Sequence, residues 1–140
     1  MRKSILMKLG VGVVVAMVVC GCAVFGKGPS DEEQIRAVLE KWQAATVAQD
    51  IEAQTALLSE NFQGSEGNKA DTKAFMQQVK DMGYLEDAEV LLEGAELKIE
   101  GDTATVYPIE IVTAMGMATV ELELTKEDTG WIIAGMDLLY

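Results

Sequence analysis

The chain has 140 residues, 49% of them apolar, with 11 basic and 23 acidic side chains, a net charge of −12 and no histidine. That length fits one packed domain plus a tail, and the apolar fraction is too high for a disordered acidic segment. The composition excludes histidine-based general bases, histidine-ligated zinc and Ser-His or Cys-His nucleophiles, and the acidity argues against nucleic acid as a partner.

Residues 1–21 have the order of a secretory signal peptide. Arg2, Lys3 and Lys8 form a positive start, and Leu9 to Val19 is a nearly unbroken apolar run, short of the ~20 residues that span a bilayer. The run ends in Val19-Cys20-Gly21-Cys22, which resembles the lipobox of bacterial lipoproteins, where small residues precede a cysteine that is cleaved and diacylated. Cys22 fits that role with Gly21 before it; Cys20 does not, because bulky Val19 would stand beside the cut. The other reading of this run is an uncleaved anchor helix. Lipidation at Cys22 implies a membrane partner reached through acyl chains, each buried methylene contributing ~0.8 kcal/mol. Ala23 follows Cys22 where the inner-membrane retention signal has aspartate, so the expected place is the cell envelope, at the outer membrane facing the periplasm if the cell has two. Loss of the leader removes three of the 11 basic residues and moves the net charge from −12 to −15. Residues 22–30 read as a lipidated tether ending in Gly26-Lys27-Gly28-Pro29-Ser30.

Ser30-Asp31-Glu32-Glu33 has capping-box spacing, and apolar residues at Ile35, Val38, Leu39, Trp42, Ala45 and Ala48 recur with a helical period. Asp50 is placed to cap a short helix running to Leu58, Asn61 to Lys69 reads as a polar loop, and Asp71 as the cap of a third helix closed by Gly83. After Tyr84 the period becomes two. Four strands are expected: Val90 to Ile99 with a bulge at Gly94, Ala104 to Ala114 with an edge or bulge at Pro108, Ala118 to Thr125, and Trp131 to Tyr140. The predicted fold is α+β, with helices on one face of an antiparallel four-stranded sheet over residues 31–140.

Ile35-x2-Val38-Leu39-x2-Trp42-x2-Ala45-x4-Asp50, then Leu57-Leu58-Ser59-Glu60-Asn61-Phe62, Gly101-Asp102-Thr103-Ala104-Thr105-Val106 and Gly130-Trp131-x-Ile133 follow in order. This succession resembles the nuclear transport factor 2-like superfamily, with its SnoaL-like and ketosteroid-isomerase-like branches. The resemblance implies a cystatin-like curved sheet wrapped around the N-terminal helices, forming a cone with an apolar pocket. It is nearly silent on function, because the fold hosts unrelated activities.

Ketosteroid-isomerase-like members carry a catalytic tyrosine on the first helix, and here Trp42 falls at its place. An indole N–H donates a hydrogen bond but does not serve as a general acid near neutral pH. Glu66 falls near that family's base, in Gly64-Ser65-Glu66-Gly67, and Asp137 stands between Met136 and Leu138. Each is a candidate pocket carboxylate, and for each the solvated surface acid is the favoured reading. Trp42, Phe75, Tyr107 and Met136 are the candidate ligand-binding wall, although residues of these types at such spacing also build ordinary cores. Met115 and Met117 flank Gly116 as pocket rim or homodimer contact. No catalytic residue, metal or cofactor is assigned. The function expected is a non-catalytic envelope lipoprotein that holds a small apolar or amphipathic ligand. The alternatives are an envelope scaffold working through protein partners, and an isomerase- or dehydratase-like enzyme with Glu66 or Asp137 as base.

Overall fold

A computed structural model describes residues 28–139; the leader, Cys20 and Cys22 lie outside them. The first helix, α1 (Asp31–Val47), begins with Asp31, Glu32 and Glu33, acids that favour the positive end of the helix dipole. It buries Ile35, Leu39, Trp42 and Ala45 of the predicted face together with Thr46, whereas Ala48, past the helix end, is exposed. Asp50 caps α2 (Ile51–Ala56) by accepting from the Ala53 amide at 3.0 Å.

The chain then departs from expectation. Leu58 begins a strand, β1 (Leu58–Gly64), where a helix end and polar loop were predicted, and a hairpin leads into β2 (Gly67–Asn68). The third helix, α3 (Lys69–Asp81), starts earlier than Asp71. Its cap is Asn68, whose side chain accepts from the Asp71 amide at 3.0 Å while the Asp71 carboxylate accepts from the Asn68 amide at 3.1 Å. Asp71 is therefore the far half of the capping box. At the other end Gly83 adopts φ 81°, its amide donating to Lys80 and the Tyr84 amide to Val79, a Schellman closure.

The strand expected from Val90 to Ile99 is two: β3 (Glu89–Leu91) and β4 (Glu96–Glu100), with Gly94 in the connecting turn and not in a bulge. Both pair antiparallel with β5 (Thr103–Thr113), β4 along Thr103 to Tyr107 and β3 along Glu110 to Val112. Pro108, which has no N–H to donate, falls between the two partners. The meander ends with β6 (Gly116–Glu127) and β7 (Gly130–Leu139), and the sheet order is β2-β1-β7-β6-β5-β3, with β4 also on β5. The described domain is thus α+β with a curved, open sheet and N-terminal helices. The sheet has seven strands and one parallel pair, β1 with β7, beyond the four antiparallel strands expected.

Two bulges decide what faces the core. In β5 the buried residues are Ala104 and Val106, then Ile109, because Tyr107-Pro108 shifts the register against β6. In β7 the pairing steps from Ile133 to Gly135, so Trp131 and Ile133 point inward before the break and Met136 after it. Each shift moves the following side chains to the opposite face.

One ion-pair cluster ties the start of α1 to the β6–β7 turn. The Asp31 carboxylate accepts from the Trp131 indole at 3.0 Å and from Lys126 at 2.9 Å. The Trp131 hydrogen bond, followed by that of Lys126, holds the Asp31 carboxyl below its ordinary value; the same contact raises Lys126. A depressed carboxyl adds stability that is present above the unfolded value, about 4, and lost as pH falls through the folded value. In urea unfolding, the wild-type advantage over Asp31→Asn should be full at about pH 6 and shrink as pH drops below about 4. A gap that stays constant across that range would contradict this assignment.

Candidate functional site

The inward faces of α1, α2 and α3 and the ends of β5, β6 and β7 enclose a cavity of about 290 Å³, close to the lower bound of the ~300–1,000 Å³ usual for small-molecule sites. Its closed end is built from buried residues: Trp42 and Thr46 of α1, Gln54 of α2, Leu58, Thr72 of α3, Leu85 and Met136. Phe75, Met76 and Val79 continue the wall along α3 at helical spacing, facing Ile111, Ala118 and Leu138 from the sheet. Met115 and Met117, 70% and 68% exposed, stand at the open end beside Gly116.

The ionisable side chains on this lining are Lys73 and Tyr84. Lys73 is bound to Glu52 at 2.7 Å, and its side chain is half-exposed. The lining is otherwise dominated by methyl, thioether and aromatic groups, a surface that gains from excluding water. Part of the polar character lies among the buried residues. The Gln54 amide donates to Thr46 Oγ1 at 2.7 Å, and Thr46 Oγ1 donates to the Trp42 carbonyl at 2.8 Å.

Of the four residues expected on the ligand wall, the structure brings Trp42, Phe75 and Met136 together. Tyr107 is elsewhere. It has the opposite strand parity to Ala104 and Val106, and its side chain is 43% exposed. Neither candidate carboxylate lines the cavity. Glu66 lies in the turn between β1 and β2, and Asp137 points to the outer sheet face because the β7 bulge turns Met136 and Leu138 inward. There Asp137 accepts from Ser65 Oγ at 3.2 Å and stands across from Glu121. Among the described residues no group of three His, Cys, Asp or Glu is placed to hold a metal ion.

Sequence reasoning missed Thr46, Gln54 and Thr72, the polar residues of the closed end. Helical spacing held the signal: Gln54 follows Ile51 by three, and Thr72 precedes Phe75 and Met76 by three and four.

No protein-family model and no curated protein sequence matches this chain. Solved structures do. A nuclear transport factor 2-like protein of unknown function from Pseudomonas putida superposes with TM-score 0.66 at 15% identity, covering 79% of this chain and 88% of that one. A nuclear transport factor 2-like protein with a cystatin-like fold from Novosphingobium aromaticivorans gives 0.62 at 17% identity, over 77% and 80% of the two chains. A de novo designed protein with a curved β-sheet gives 0.59 at 16% identity, over 76% and 99%. Such a designed match belongs to backbone geometry, so the likeness carries fold and no activity. The chain has the cystatin-like fold of nuclear transport factor 2-like proteins.

Proposed function

We propose that this domain is a binding module that holds a small apolar or amphipathic molecule in the cavity between its helices and sheet. The observation that carries the reading is the lining itself. Trp42, Phe75, Met76 and Met136 supply apolar surface, whereas Glu66 and Asp137, the acids on which proton transfer would rest, lie off it. Trp42 offers an indole where isomerases of the resembling branch carry a tyrosine, and an indole N–H donates a hydrogen bond but does not serve as a general acid near neutral pH. Native mass spectrometry of protein purified from its own cells tests this. A retained small apolar molecule, released on unfolding, is the expected result. Protein that stays empty after exposure to lipid and metabolite extracts would overturn the reading.

The tether belongs to the same proposal. Lipidation at Cys22 would hold residues 31–140 at an envelope membrane, supported by the order of charge, apolar run and Gly21-Cys22 in the leader. Cys22→Ser should abolish labelling by a palmitate analogue and leave an uncleaved precursor. Equal labelling of the variant would move the site to another residue.

A further inference from the structure

Two residues of the cavity lining carry a buried polar atom with nothing to bond. Gln54 Oε1 and Thr72 Oγ1 are buried, on side chains 5% and 2% exposed, and neither has a hydrogen-bond partner among the described residues. Both residues line the cavity. Buried polar groups left unpaired are costly and uncommon, so two on the lining residues of one cavity ask for a partner.

The amide orientation follows from its neighbour. Thr46 Oγ1 has one proton, which it gives to the Trp42 carbonyl at 2.8 Å. Its 2.7 Å contact with Gln54 is therefore made through the Gln54 amide nitrogen, and Oε1 is left as the free atom. A carbonyl oxygen accepts and cannot donate. Thr72 adds a hydroxyl that does either.

We propose that the cavity selects a neutral ligand with an apolar body and a hydroxyl or amide N–H at its buried end, donated to Gln54 Oε1 with Thr72 Oγ1 as second partner. This rests on the binding-module reading above and narrows its ligand class. A carboxylate or phosphate at that end is disfavoured, because it sets acceptor against acceptor and buries a charge without a counterion. Lys73 does not supply one, being tied to Glu52 at 2.7 Å.

Calorimetric titration with 2-naphthol, 2-methoxynaphthalene and 2-naphthoate tests the proposal. These probes share one apolar body and differ in the group at its end. 2-Naphthol should bind about tenfold more tightly than 2-methoxynaphthalene, the effect of one buried hydrogen bond, and 2-naphthoate most weakly. Gln54→Met, which keeps the volume and removes the acceptor together with the donor to Thr46 Oγ1, should erase the preference for naphthol over the methoxy probe. Thr72→Val, nearly the same shape, should reduce that preference by part of the tenfold and guards against a folding defect in the first variant. Equal binding of naphthol and methoxynaphthalene by the wild type would overturn the polar end and leave the binding module standing. An unchanged naphthol preference in folded Gln54→Met would do the same. Failure of all three probes to bind would overturn the binding module and the polar end with it.

Discussion

Trp42→Ala is expected to destabilise the domain by ~3–5 kcal/mol, the range for emptying a buried aromatic site. Trp42 is 4% exposed and belongs both to the core, with Ile35, Leu39, Leu58 and Met136, and to the cavity wall. Truncation therefore removes contacts on one side and enlarges the cavity on the other. The surrounding helix cannot simply collapse into the gap, because Thr46 and Gln54 hold α1 and α2 together beside it. Urea unfolding at fixed ionic strength reads the effect, with Trp42→Phe as the milder companion. An unchanged midpoint would place the indole in solvent and contradict the helix phase.

Phe62→Ala should cost a comparable ~3–5 kcal/mol. Phe62, 1% exposed, is the ring through which β1 enters the core. Beyond it β1 approaches β7 closely. A side chain at Gly64 would place its first carbon 2.5 Å from the Met136 carbonyl, and the Ser65 amide donates to that same oxygen at 3.0 Å. Removing the Phe62 ring should loosen this parallel pairing before the β5–β6 meander. Hydrogen exchange at the Ser65 amide should accelerate more than at β6 amides. Uniform acceleration across the sheet would show that β1 does not open separately.

Local signals were legible and non-local ones were not. The stripe from Ile35 to Ala45 and the alternation of Val120, Leu122 and Leu124 with Thr119, Glu121 and Glu123 follow directly from helical and strand periods, and the structure keeps both. The strand β1 did not show itself. Asn61 and Gln63 read as loop, Ser59 and Glu60 as no element at all, and its long partner β7 lies some 70 residues further on in parallel register. Its identity is decided by tertiary pairing, which overrides a weak strand preference. Bulges hid part of the site for another reason. One extra residue at Tyr107-Pro108 exchanges inside and outside beyond it, which puts Ile111 on the cavity, while Tyr107, out of phase with Ala104 and Val106, faces solvent. The β7 shift does the same for Asp137, turning it outward as Met136 turns in. Gln54 and Thr72 were passed over because a polar residue on a helix usually faces water, and only their spacing from Ile51 and Phe75 argues otherwise.

Methionines give the most direct test of the cavity as a binding site. Met76, Met115, Met117 and Met136 line it, and Met82, exposed past the end of α3, does not. With methionine methyl groups labelled with carbon-13, titration of 2-naphthol into the purified protein should shift the four lining signals along one saturable curve. The Met82 signal should stay in place. Shifts that never saturate, or that appear at Met82 while Met76 and Met136 remain still, would contradict binding in the cavity.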